Sequence, residues 1–226
     1  MKKFFLFVLA IFISNFISAQ EISADELLNK VKSEFDKIED YEVDARIKID
    51  VDFLQIPETS GKIYFKKPDK IRLISNSFAL IPKEGLNFSP GQFLNFDYSA
   101  ILVGEEKLGS FNTYVVKVVP LSSNSDLILS TLWIDKTRPV VRKIETTTQK
   151  SGTVKITLEY NGASDVLPSQ MELFINLPDF KVPAAMTGTI TDETKKKKGK
   201  ETVNGKIIIS YSNYVINKGV EDSIFK

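Results

Sequence analysis

Val43-Asp44-Ala45-Arg46-Ile47-Lys48-Ile49-Asp50-Val51-Asp52-Phe53 is the stretch that decides the fold. Every odd position is apolar and every even position is charged, so an extended chain sorts the two sets onto opposite faces. One face is dry and the other is wet. A central strand of a parallel sheet would be apolar on both faces, so this strand belongs to an antiparallel sheet covered on one side. Its unbroken length points to a strongly curved sheet.

Short extended segments continue downstream. Gly61 to Phe65 and Ile71 to Ser75 flank the tight turn Lys67-Pro68-Asp69-Lys70, where Pro pre-sets the backbone and Asp favours turning. Further strands are expected at 100–106, 111–119, 127–135, 140–149, 152–160, 169–176, 186–192 and 205–212. Gly109-Ser110, Lys136-Thr137-Arg138-Pro139, Ser151-Gly152 and Asn161-Gly162 separate most of them. The result is about eleven strands with hairpin-length links. Strands and helices do not alternate, which disfavours a Rossmann or TIM arrangement.

Two helices are expected beside the sheet. Ser23-Ala24-Asp25-Glu26 is a capping box, and Leu27, Leu28, Val31, Phe35 and Ile38 recur at helical spacing, so residues 24–39 read as one amphipathic helix. Ser89-Pro90-Gly91-Gln92 reads as a second start, carrying Phe93, Leu94 and Phe96. That region also holds Phe78 and Leu80. It is either a plug that completes the core or a movable lid over an apolar cavity. About eight strands give an interior that side chains just fill, so a larger one needs helices, a ligand, or both.

The chain opens on Met1-Lys2-Lys3, an apolar run from Phe4 to Ile17, and the small residue Ala19. This is the pattern of a secretory signal, with an apolar run too short to span a bilayer comfortably. Cleavage after Ala19 leaves 20–226 as a single domain working outside the cytoplasm, with a periplasmic location expected. Losing Lys2 and Lys3 turns the formal charge of +1 slightly negative. Neither charge suits a nucleic-acid partner. A domain of this size draws enough stability from its core to need no disulfide.

The 226 residues contain no His and no Cys. That excludes an imidazole base, a Ser-His-Asp triad and a thiol nucleophile, and it denies zinc its favoured ligands. Glu105 and Glu106 are neighbours on an expected strand and point to opposite faces. The acids at 42, 44, 50 and 52 share a wet face with Arg46 and Lys48. Ser223 and Lys226 match a Ser-x-x-Lys spacing without a following helix. There is no glycine-rich phosphate loop and no EF-hand loop. Neither an enzyme nor a cofactor is expected. Lys195, Lys196, Lys197 and Lys198 concentrate positive charge, either as a solvated hairpin tip or as a contact for anionic head groups.

Several stretches resemble the LolA-like periplasmic lipoprotein-carrier family, which includes the RseB-type partners of anti-sigma factors. Gly61 to Leu73 is similar to its second and third strands around a turn proline. Val103 to Leu108 with Tyr114 to Pro120 resembles its next hairpin. Leu132-Trp133-Ile134-Asp135 with Pro139 resembles the pair after that, and Tyr211 to Phe225 its closing strand and tail. The resemblance implies an open, strongly curved antiparallel half-barrel whose concave apolar face is covered by helices. It implies a monomer that shields the acyl chains of a lipoprotein or lipid, meeting an inner-membrane transporter or an outer-membrane acceptor. The other function it implies is a periplasmic sensor using the same fold. The expected lining is Val43, Ile47, Ile49, Phe53, Ile71, Phe78, Leu80, Phe93, Leu94 and Phe96. The family often has Arg before the turn Pro68, where it latches the lid. Here the position is Lys67, a single flexible charge, so such a latch would be weaker or absent.

Overall fold

The structure is a computed structural model that describes residues 22–51, 54–55, 57–75, 96–122, 126–149, 152–162, 165–177 and 203–226. The expected signal segment, most of the second helix region and the strand at 186–192 lie outside the described residues. So do Lys195, Lys196, Lys197 and Lys198, the expected head-group contact.

Helix α1 runs Ala24–Phe35. The Ser23 Oγ accepts the Glu26 amide at 3.1 Å, as the capping box requires. Ala24, Leu27, Leu28, Val31 and Phe35 form its buried stripe. The expected end at residue 39 is corrected to Phe35. Ile38 turns its amide back to the Phe35 carbonyl at 3.0 Å, and the Glu39 amide bonds Asn217 Oδ1 at 2.7 Å. Ile38 keeps helical spacing, but tertiary hydrogen bonds divert the backbone into the first strand.

Among the described residues eleven strands form one sheet. They are β1 Asp40–Val51, β2 Leu54–Gln55, β3 Thr59–Lys66, β4 Lys70–Ser75, β5 Tyr98–Leu108 and β6 Phe111–Pro120. β7 Leu127–Asp135, β8 Val141–Thr148, β9 Gly152–Glu159, β10 Gln170–Leu177 and β11 Val203–Ile216 follow. The order is β4-β3-β1-β11-β10-β9-β8-β7-β6-β5, with the short β2 pairing β1 off this path. Neighbouring strands pair antiparallel throughout. From β5 to β11 the chain meanders, and β1 then lies between β11 and β3. Among the described residues the sheet does not close. Its two outermost strands, β4 and β5, follow one another in the order of the described strands.

Both faces of β1 follow the alternation. Val43, Ala45 and Ile47 are 1%, 2% and 1% exposed, whereas Arg46, Lys48 and Asp50 face solvent. On the wet face Lys62 pairs with Glu42 at 3.2 Å and Asp44 at 3.7 Å. One irregularity matters. Glu42 pairs with Val215 and Asp44 with Ser212, so Val43 faces two residues of β11. This bulge is built on Asn213, whose φ of 56° is a left-handed conformation that Asn tolerates. The extra residue turns both Tyr211 and Tyr214 toward the core.

Asn217, also left-handed at φ 55°, ties the end of β11 to the α1–β1 turn. Its Oδ1 accepts from Glu39 and Asp40, and its Nδ2 donates to the Lys37 carbonyl at 2.8 Å. Asn217→Ala is expected to cost about 1–3 kcal/mol in urea unfolding, since it strands these groups and strains the backbone. Asn217→Asp should recover part of the loss, because it retains the acceptor.

Candidate functional site: the concave apolar face

The inward side chains of the sheet form one apolar surface. Ile63 of β3, Val43 and Ile47 of β1, Ile207 and Ile209 of β11 and Met171 and Leu173 of β10 join a single buried cluster. Ile156, Ile144, Leu132 and Val116 extend that cluster across β9, β8, β7 and β6. Helix α1 lies on this surface and contributes Leu27, Leu28 and Val31, with Leu28 fully buried. Part of the face is therefore covered by a helix whose own apolar stripe is spent on it.

The margins are less covered. Ile71 and Leu73 of β4, and Phe96, Tyr98, Ala100 and Leu102 on and beside β5, are only partly buried against the same cluster. β4 and β5 stand at opposite ends of the strand order, and the apolar cluster runs without a break from one to the other. This is the open, curved half-barrel expected, with α1 as the described helix on its concave side.

Of the expected lining residues, Val43 and Ile47 are in the buried cluster, and Ile49, Ile71 and Phe96 are partly buried against it. Phe53, Phe78, Leu80, Phe93 and Leu94 lie outside the described residues. Lys67 sits in the β3–β4 turn beside Pro68. Its Nζ donates to the Asp36 carbonyl and pairs with Glu39 Oε1 at 3.0 Å. Lys67 thus fastens the sheet to the turn that follows α1.

A recess of about 590 Å³ opens where the start of α1 meets β5, lined by Ile22, Ser23, Leu102, Val103, Gly104, Glu105 and Tyr114. Leu102 and Tyr114 also pack against the apolar cluster, so the recess reaches the edge of the concave face. Gly104, at φ 152°, lies at a register shift in β5 that shapes this rim.

The sequence reading missed an aromatic row at the other end of α1. Phe35 meets Phe65 edge-on at 6.0 Å, Phe65 stacks on Tyr41 at 5.1 Å, and Tyr41 meets Tyr214 at 5.8 Å. Tyr214 then reaches Tyr211 at 6.1 Å and donates its hydroxyl to the Pro168 carbonyl at 2.8 Å. Burial pushes the Tyr41, Tyr211 and Tyr214 phenols well above their ordinary range, so they stay neutral. Tyr41 shares the parity of Val43 and was there to be found. Tyr211 and Tyr214 are three apart, and only the Asn213 bulge puts them on one face.

The carboxylates do not form a reactive pair. Glu105 pairs with Lys136 at 2.6 Å, while Glu106 accepts the Trp133 indole at 2.8 Å. No group of three or more acidic side chains among the described residues is placed to hold a metal ion. No described helix is long and apolar enough to cross a membrane.

Comparison with solved structures gives the decisive observation. A DUF1329 family protein from Desulfovibrio piger matches over 90% of this chain and 97% of its own, with a TM-score of 0.55 at 14% identity. A LolA superfamily protein from Nitrosomonas europaea matches over 91% and 98%, with a TM-score of 0.54 at 12% identity. The chain has the LolA-like fold. An outer membrane lipoprotein-sorting protein domain from Vibrio parahaemolyticus extends the LolA-like set, covering 89% of this chain and 97% of its own at 12% identity and a TM-score of 0.55. No protein-family model matches the chain. No curated protein matches it either. The LolA-like likeness is thus one of backbone architecture, at identities where side-chain roles do not transfer.

Proposed function

We propose that the protein is a periplasmic, non-enzymatic carrier that shields acyl chains of a lipid or lipoprotein against its concave face. The observation that carries this reading is the apolar surface running from β4 to β5 beneath a single helix, with its margins partly uncovered. The physics needed is burial. Each methylene removed from water contributes about 0.8 kcal/mol, so partial insertion of one chain is already substantial. The chain enters along the seam between α1 and β5, where the recess reaches the cluster. Val43, Ile47, Ile49, Phe53, Ile71, Phe78, Leu80, Phe93, Leu94 and Phe96 line its path. Lys195, Lys196, Lys197 and Lys198 meet head groups at the membrane. The LolA superfamily and lipoprotein-sorting neighbours support this reading through the fold they share.

Mass spectrometry of organic extracts from the purified mature protein tests it. Diacylated lipid or lipoprotein at near-stoichiometric amounts is the expected result. A lipid-free extract, together with no binding of a fluorescent fatty-acid probe, sinks the carrier. Recovery of a membrane protein's periplasmic domain without lipid supports a sensor instead.

The absence of Cys permits a second test. Ser23 and Leu102 line the same recess. A Ser23→Cys/Leu102→Cys variant joined by a short bis-maleimide should lose probe uptake about tenfold or more, whereas either single variant treated alike should keep it. Uptake unchanged by the cross-link would place entry elsewhere.

A further inference from the structure

Lys66 and Lys70 stand directly opposite each other across the β3–β4 hairpin. Like charges at paired positions repel. Here a carboxylate from the far end of the chain lies between them. Asp222 Oδ1 is 2.8 Å from Lys70 Nζ and 3.1 Å from Lys66 Nζ. The next outward-facing position on β4 is Arg72, and its guanidinium donates to the backbone oxygen of Lys226. Lys66 Nζ also donates to the Val220 carbonyl at 2.9 Å. A single turn of 3-10 helix, Asp222–Phe225, is thus laid across three cations.

The attachment changes character along the tail. Val220 is buried, and Asp40 accepts the Lys218 and Gly219 amides at 3.1 and 3.0 Å. Gly219 then turns the chain at φ 88°. Beyond Val220 the described bonds to the body run from Asp222 and the Lys226 oxygen to the exposed Lys70 and Arg72 and the half-buried Lys66. The Asp222 side chain is 60% exposed and Lys70 43%. Exposed pairs of this kind hold weakly and are screened by salt. Residues 221–226 can therefore leave without disturbing the sheet, and their departure uncovers a repelling Lys66–Lys70 pair beside Arg72.

We propose that the outer face of the β3–β4 hairpin is a docking site for an acidic linear peptide of a partner protein, and that residues 221–226 occupy it in cis as a built-in competitor. The tail displays the chemistry the site accepts. It has a carboxylate bridging Lys66 and Lys70, followed two and three residues later by Ile224 and Phe225, both partly buried in this pose. A backbone oxygen then reaches Arg72. A phospholipid surface would satisfy the cations but has no linear backbone to follow them, whereas the tail meets them with a side-chain carboxylate and then a backbone oxygen, so the peptide is the better fit.

A fluorescein-labelled peptide spanning residues 218–226 tests this by anisotropy against the full chain. Asp222→Lys sets three lysines against one another and should expel the resident tail. Asp222→Asn removes the charge at nearly constant size. The peptide should bind the Asp222→Lys chain about tenfold more tightly than the unaltered chain, with Asp222→Asn between them. Binding should weaken as salt rises from about 50 to about 500 mM. It should be lost when Lys66→Glu and Lys70→Glu are added, and an Asp222→Asn peptide should bind about tenfold more weakly. Circular dichroism confirms that each variant is folded, and Asp222→Asn alone still tests the order of affinities if Asp222→Lys is not. Equal peptide affinity for all chains overturns the proposal. So does binding of phosphatidylglycerol vesicles, without peptide binding, by the Asp222→Lys chain.

Discussion

Arg142→Ala will lower the stability of the protein by about 3–5 kcal/mol in urea denaturation. The Arg142 and Asp135 side chains are only 7% and 2% exposed. Nε and Nη2 both donate to Asp135 Oδ2, at 3.0 and 2.9 Å. Asp135 Oδ1 is taken by the Thr137 amide at 2.8 Å and the Thr137 hydroxyl at 2.7 Å. The guanidinium also lies 3.6 Å from the centre of the Phe111 ring. Truncating Arg142 leaves a buried carboxylate without its counter-charge, which is costlier than never having built the pair. Asp135→Leu/Arg142→Met should therefore recover much of the loss, because volume is kept and neither charge is stranded. A loss below about 1 kcal/mol for Arg142→Ala would contradict this account. Acid titration offers a second reading. Burial raises the Asp135 carboxyl, but Thr137 and Arg142 outweigh it and hold it below its ordinary 3.8. A lowered value means that the contribution is complete above 3.8 and is lost as pH falls through the lower, folded value. The acid limb of the stability curve should be shallower in Asp135→Asn than in the unaltered chain.

Leu28→Ala is the second large effect. Leu28 is fully buried where α1 presses on the concave face. Removing its branched end should cost about 2–5 kcal/mol, the upper part applying if the gap stays open. For a carrier the gap also has a functional consequence. It enlarges the space between helix and sheet, so a fatty-acid probe should bind the variant at least as well as the unaltered chain. Saturating probe should then restore part of the lost stability, by about 2.7 kcal/mol at a hundredfold excess over Kd. Thermal melts with and without probe measure both quantities. A variant that is destabilised and gains nothing from probe would mark α1 as a plain core element.

Alternation made the faces legible and left the partners hidden. The strands expected at 111–119 and 127–135 are found as Phe111–Pro120 and Leu127–Asp135, because clean turn signals bound them. The first strand starts earlier than its alternation suggested, at Asp40, since Asp40 and Tyr41 are held by Asn217 and the aromatic row rather than by local preference. β2, only Leu54–Gln55, had no pattern to read. Nothing in Val43 to Phe53 says that β11 will lie beside it, because a period of two records which side a residue faces and not what it pairs with. Val43, Ile47, Ile49, Ile71 and Phe96 were placed on the apolar side by that period or by composition, and all of them pack there. Arg142 defied the same logic. It is buried beside Val141 in β8, and its partner Asp135 lies seven residues back at the end of β7, a distance no periodicity spans.

The position of β1 between β3 and β11 also governs when the protein can become itself. Tyr41 pairs with Ile216 and Val51 with Gly205, so one flank of β1 is matched by a strand more than 150 residues later in the chain. A chain that emerges from its N-terminus first, from a ribosome or through a membrane, holds β1 with an open edge and a bare apolar side until residues beyond 203 have followed. Contacts that distant in sequence form slowly. During that interval an unfinished molecule displays to its surroundings the same greasy surface the finished one keeps roofed, and it is then most in need of a helper or most prone to stick to its neighbours.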